Sequence, residues 1–100
     1  MKCIIEGHRY ELDNFEKLTE AEQTLQFIQK EPAKDPVFEG HLETVNDGTT
    51  NEEVLAMLID RLNYLQKKFP CRENAFVITN LEESLMWLNR RTNVEGKQLA

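Results

Sequence analysis

The sequence predicts an α+β fold: a small N-terminal antiparallel β-sheet followed by a C-terminal antiparallel two-helix hairpin. Three observations predict it. Short alternating segments separated by Gly, Pro and Asp fill residues 1–48. A composition shift follows at Thr50-Asn51-Glu52-Glu53, which has the form of a helix-capping box. Two long helical patterns then flank the single breaker Pro70. Residues 1–48 are expected as the sheet region and 49–100 as the hairpin, packed as one compact domain of ordinary size.

The first expected element is a β-hairpin over residues 2–13. Gly7-His8 would form a two-residue turn, pairing Glu6 with Arg9, Ile5 with Tyr10, Ile4 with Glu11 and Cys3 with Leu12. One face would then carry Cys3, Ile5, Tyr10 and Leu12, and the other would set opposite charges against each other. Residues 23–29 (QTLQFIQ) form a third expected strand, with Leu25 and Phe27 on one face. Residues 31–40 contain Pro32 and Pro36 and read as a loop or an irregular edge. His41 to Val45 is a fourth strand, ended by Asp47-Gly48.

The first helix is expected from Asn51 to Lys68. Leu55, Leu58, Leu62, Leu65 and Phe69 recur at spacings of three and four. Lys67 and Lys68 complement the helix dipole in the last turn. The second helix is expected from near Cys71 to about Arg91, on the stripe Val77/Ile78, Leu81, Leu85 and Leu88. A connection this short forces the helices to fold back antiparallel. Phe76, Asn80, Glu83 and Trp87 form a further line, with Ala75 and Met86 widening the apolar arc beyond what one partner helix covers. Either the sheet or a second copy of the chain would have to cover it, and the small size of the chain favours a homo-oligomer.

Composition excludes several function classes. A net charge of -6 does not suit a protein that binds nucleic-acid polymers through their phosphates. The charge is uneven: residues 1–50 carry 5 basic and 11 acidic side chains, residues 51–100 carry 7 of each. A local anion pocket in the second half is compatible with the acidic total. No apolar run is long enough to span a bilayer, and Cys-Ile-Ile before Glu6 is too short for a signal peptide. Two cysteines without a CxxC fit a reducing cytoplasm better than a disulfide scaffold. No Ser/His/Asp, HExxH or P-loop pattern is present. Cys71 with His8 or His41 would make a nucleophile–base pair, but Cys71 reads better as a buried structural cysteine near a helix N-terminus. Cys3, His8, His41 and Cys71 lack the spacing of a zinc site. Neither a metal nor a cofactor is expected.

The polar ends of the second helix are the better constellation. Asn74 continues the 78/81/85 stripe at one end, and Arg91 and Thr92 continue the 85/88 stripe at the other. Taken singly these are ordinary placements near a cap and near a helix C-terminus. Taken together they form a pattern. On one helix Asn74 and Arg91 lie roughly 25 Å apart, so they cannot grip one small molecule within a single chain. An antiparallel dimer would bring the N-terminal end of one helix to the C-terminal end of its mate. Two equivalent pockets would follow, each with an amide, guanidinium forks and a ring such as Tyr64 or Trp87, a set that suits a nucleotide.

The same residues carry a family resemblance. Asp47-Gly48-Thr49-Thr50-Asn51-Glu52-Glu53-Val54-Leu55, Leu58-Ile59-Asp60-Arg61-Leu62, Cys71-Arg72-Glu73-Asn74, Leu81-Glu82-Glu83-Ser84-Leu85-Met86-Trp87-Leu88, Arg91-Thr92 and Val94-Glu95-Gly96 resemble the helical hairpin of phage anti-defence sponges. That hairpin is shared by the anti-Thoeris and anti-CBASS sponge families, and a preceding β-sheet makes this chain more similar to the anti-Thoeris type. The resemblance covers about half the chain and implies sequestration without catalysis. It implies symmetric oligomers, often hexamers, that bind cyclic ADP-ribose isomers at dimer interfaces and, in some members, cyclic di- or trinucleotides in separate pockets at trimeric interfaces. By position it implies Tyr64 as the ring that stacks on the ADP-ribose ligand, Asn74 and Arg91 as polar contacts, Thr92 beside them, and Arg72 in the second pocket. Family members usually carry a short basic insertion between the Arg-Thr and the Val-Glu-Gly, with a further Arg about one helical turn after Arg91; here Arg91-Thr92-Asn93 runs directly into Val94, so either a phosphate contact is missing or Arg90 substitutes for it.

The expected function is therefore a nucleotide-messenger sponge acting in the host bacterial cytoplasm. An alternative of a different class is a small phage or bacterial adaptor that binds a host protein through its acidic sheet. A third reading is an enzyme that cleaves the messenger.

Overall fold

The computed structural model describes residues 1–34 and 40–95, with side chains as far as Arg91. The fold is α+β, as the sequence predicts. The strands are β1 (Lys2–Ile5), β2 (Arg9–Leu12), β3 (Gln23–Gln26), β4 (Gln29–Pro32) and β5 (Leu42–Asn46); the helices are α1 (Asn51–Lys68) and α2 (Arg72–Glu95). Two compact units divide the chain, one from Met1 to Thr50 and one from Asn51 onward.

The first unit holds a three-stranded antiparallel sheet in the order β1-β2-β3 and a two-stranded sheet β4-β5. The β1–β2 register departs from the expected one. Cys3 pairs with Tyr10 and Lys2 with Glu11, an irregularity follows, and Ile5 pairs with Arg9. The turn explains the difference. It spans Ile5–His8, closed by the His8 N–H donating to the Ile5 carbonyl at 2.9 Å. Gly7, with φ of 75°, takes its third position, where a type II turn needs φ > 0. A four-residue turn in this place shifts the pairing and forces the bulge.

The expected third strand is also divided. β3 ends at Gln26 and β4 begins at Gln29. Between them the Phe27 N–H donates to the His8 carbonyl at 2.7 Å and the Ile28 N–H to the Thr49 carbonyl at 2.9 Å. The Thr49 N–H in turn donates to the Gln26 carbonyl at 2.8 Å. Gly48 makes this approach possible. A Cβ there would collide with the Gln26 carbonyl oxygen and lie 2.7 Å from the Phe27 carbonyl carbon. The Tyr10 and Phe27 rings meet edge to face, 5.9 Å apart at 85°. β5 starts and ends one residue later than expected and pairs with β4, which takes in Glu31 and Pro32 as an edge. Residues 35–39, which include Pro36, lie outside the described residues.

The second unit is the helical hairpin. α1 has the expected limits, with Glu52 and Glu53 in its first turn and Lys67 and Lys68 in its last. α2 runs four residues past the expected end, to Glu95. No Gly or Pro interrupts the sequence before Gly96, so no breaker stops it sooner. The seam is carried by half-buried Leu55, Ile59, Leu62 and Leu65 of α1 against Asn74, Leu81, Leu85 and Leu88 of α2, around fully buried Ile78. Ile59 therefore takes the place the stripe assigned to Leu58, and Phe69 is 76% exposed. Phe69 lies just beyond the last residue of α1, in the link between the helices.

Candidate functional site

The hairpin separates its polar side chains into two ends. At the connected end, Phe69, Pro70 and Cys71 link the helices. The Gln66 side chain clasps this link. Its Nε2 donates to the Cys71 carbonyl at 2.8 Å and its Oε1 accepts from the Cys71 N–H at 3.0 Å. Cys71 caps α2: its Sγ accepts the Asn74 N–H at 3.4 Å, and its carbonyl accepts the Ala75 N–H at 3.3 Å. The cysteine caps the helix, but it is exposed and not buried as expected, because it lies in the link between the helices.

Tyr64, Arg72 and Asn74 all belong to this end. Tyr64 lies one turn before the end of α1 with its ring exposed. Lys68 Nζ stands 4.7 Å from the Tyr64 ring centroid, one turn further on. Arg72 covers the Phe76 ring at 5.2 Å. Asn74 is half-buried and faces the seam. The sequence reading assigned Lys68 only to the helix dipole. Its spacing of four from Tyr64 is the signal that places it on the ring.

Arg90 and Arg91 belong to the open end, and they are set differently. Arg90 is exposed and covers the Trp87 ring at 5.4 Å. Arg91 is half-buried at the last described turn of the seam, where its Nη2 lies 3.8 Å from Glu52 Oε1. Glu52, at the start of α1, was read as part of a cap. Antiparallel packing brings it opposite Arg91. The side chain of Thr92 lies outside the described residues.

Within one chain, then, Tyr64, Arg72 and Asn74 lie toward the connected end of the hairpin, and Arg90 and Arg91 toward the open end. The 17 residues from Asn74 to Arg91 span roughly 25 Å of helix. Between the ends both helices leave large apolar side chains uncovered. Met57, Phe76, Met86 and Trp87 are each more than half exposed. Among the described residues no group of three His, Cys, Asp or Glu side chains could hold a metal ion. No described helix is long and apolar enough to cross a membrane.

Comparison with known proteins adds to this geometry. The family described as "Acb2/Tad1, hairpin domain" matches residues 31–93. A relative named "Thoeris anti-defense 1", from Bacillus phage SBSphiJ7, is 51% identical over an alignment of 67 residues. That alignment takes in 55% of this chain and 47% of the relative, so the match spans about half of the relative's length.

Proposed function

The chain belongs to the Acb2/Tad1 hairpin family, and on that premise we propose that it is a phage anti-defence sponge that binds nucleotide messengers of host immunity and withholds them uncleaved. The ligands are cyclic ADP-ribose isomers and, in a second pocket, cyclic di- or trinucleotides. The site of action is the host bacterial cytoplasm.

One observation carries the reading. The amide-and-ring end (Tyr64, Asn74) and the guanidinium end (Arg90, Arg91) stand at opposite ends of one hairpin, with uncovered apolar side chains between them. A second copy laid antiparallel joins the two ends and covers that apolar surface at once. Each pocket so built offers an amide for a base edge, a ring for stacking and guanidinium donors for a pyrophosphate. Thr92, which follows Arg91 in the sequence, belongs to the proposed set of contacts, and Arg72 serves the second pocket. Repetition of the dimer yields a hexamer. The function asks only for affinity and capacity, and no step needs a nucleophile or general base.

Calorimetry against cyclic ADP-ribose isomers and cyclic oligonucleotides tests the reading. Heat with one ligand per pocket supports it, and so does intact ligand recovered after the complex is denatured. Cleaved ligand would make the protein an enzyme. No heat from any messenger would favour the adaptor that binds a host protein through its acidic sheet.

A further inference from the structure

α2 carries a second stripe on the side away from the seam. Ile78 is fully buried between the helices, and Phe76 and Asn80, two residues to either side of it, lie roughly 200° around the helix. At spacings of three and four the stripe runs Arg72, Phe76, Asn80, Glu83, Trp87, Arg90. Arg72 covers the Phe76 ring at 5.2 Å and Arg90 the Trp87 ring at 5.4 Å, yet Phe76 stays 54% exposed and Trp87 53%. From either end the order of groups is the same: a guanidinium, a ring, two polar side chains, a ring, a guanidinium. The hydroxyls nearby are satisfied within the helix. Thr79 Oγ1 donates to the Ala75 carbonyl at 3.1 Å and Ser84 Oγ to the Asn80 carbonyl at 2.9 Å. Asn80 and Glu83 are exposed, and among the described residues neither side chain bonds to another side chain.

A two-fold interface makes residue i meet j and j meet i, so a stripe with this order is complementary to itself when two copies run antiparallel. We propose that α2 pairs antiparallel with α2 of a second copy about a dyad between Leu81 and Glu82, and that Asn80 and Glu83 are the positioning residues that set this register. The dyad lays Phe76 of each copy against Trp87 of the other and Asn80 of each against Glu83 of the other. Each Asn80 amide donates to a carboxylate, so two charge-assisted bonds sit between two pairs of rings. Other registers lose this match. Parallel packing in register sets Glu83 against Glu83, and a slip of one turn sets a ring against a polar side chain. The guanidinium groups of Arg72 and Arg90 draw near each other at the two exposed ends, where solvent screens their repulsion. The same dyad brings the turn of Asn74 level with the turn of Arg91 in the other copy. The proposal rests on the antiparallel pairing of the sponge reading but on no ligand, because the contact forms without a nucleotide.

The test is sedimentation of the full chain without nucleotide. Asn80→Glu sets a carboxylate against Glu83 of the other copy and is expected to weaken self-association at least about tenfold, the effect of like charges facing across an interface. The double variant Asn80→Glu/Glu83→Asn exchanges the two groups across the dyad and is expected to regain most of the lost affinity. Circular dichroism on each variant separates loss of helix from loss of association. A second measurement reads the register even if Asn80→Glu unfolds. With Cys3 and Cys71 replaced by serine, chains carrying Asn80→Cys and chains carrying Glu83→Cys are mixed and oxidised. A mixed disulfide is expected from this pair and not from Asn80→Cys with Trp87→Cys, which the dyad leaves about one turn out of level. A monomeric wild type, a double variant as weak as Asn80→Glu, or equal disulfide yields from the two mixtures would overturn the proposal. If the register holds and calorimetry finds no heat with cyclic ADP-ribose isomers or cyclic oligonucleotides, the sponge reading falls and the register stands. If those ligands bind while the disulfide and the exchange both fail, the register falls and the sponge reading stands.

Discussion

Gln66 and Cys71 form a two-point clasp across the interhelical connection, with bonds of 2.8 and 3.0 Å to the Cys71 carbonyl and N–H. A side-chain amide thus takes the place of a backbone partner where Pro70 has broken the helix. Cys71 in turn caps Asn74. The position of Asn74 at the start of α2 is therefore fixed from α1 through one glutamine. Gln66→Ala removes both bonds. It is expected to cost about 1–2 kcal/mol in urea unfolding and to loosen hydrogen exchange at the Cys71 amide. An unchanged midpoint and unchanged exchange would show that the clasp contributes nothing in solution.

Gly48 is the second point where one residue decides local geometry. Any Cβ there meets backbone, not a side chain that could move aside. Gly48→Ala is expected to break the Thr49–Gln26 and Ile28–Thr49 bonds and to cost about 2–3 kcal/mol, the range of overpacking a tight site. Amide exchange at Ile28 and Thr49 reads this directly. Retained protection at both amides would mean that the backbone adjusts at little cost.

The uncovered apolar side chains lead to a prediction about assembly. Among the described residues only Ile78 is fully buried, at 8% exposure, which is a small core for a stable chain. Phe76→Glu and Trp87→Glu replace exposed rings and remove little packing within the chain. Light scattering is expected to show wild type as an oligomer and either variant shifted toward monomer, with helix content retained by circular dichroism. A wild type that is monomeric at micromolar concentration would contradict the shared pocket.

Much of this architecture was legible in the sequence, for identifiable reasons. The limits of α1 follow from local chemistry, Thr50-Asn51-Glu52-Glu53 at one end and Pro70 at the other. Local chemistry did not reveal what depends on distant partners. The division of residues 23–29 is imposed by bonds from Phe27 to His8 and from Ile28 to Thr49, neither of which has a local signature. The choice of Ile59 over Leu58 for the seam depends on how α2 packs, because both residues suit an apolar stripe. At the site, the residue types and their separation along α2 were readable. The meeting of Arg91 with Glu52 was not, because each had been assigned to its own helix end; Lys68 had been assigned to the helix dipole, although its spacing of four from Tyr64 was readable.

The central claim is that each pocket takes Asn74 from one chain and Arg91 from another. Mixing two damaged chains tests it. Asn74→Ala and Arg91→Ala are each expected to lose at least about tenfold in affinity for the messenger, since each removes a polar partner of a buried ligand group. Co-expressed in equal amounts, they form mixed dimers in which one pocket carries both lesions and the other carries none. Calorimetry on the mixture should then show binding at wild-type affinity with a reduced number of sites. A mixture that binds no better than either variant alone would mean that the pocket is not shared between chains in this way.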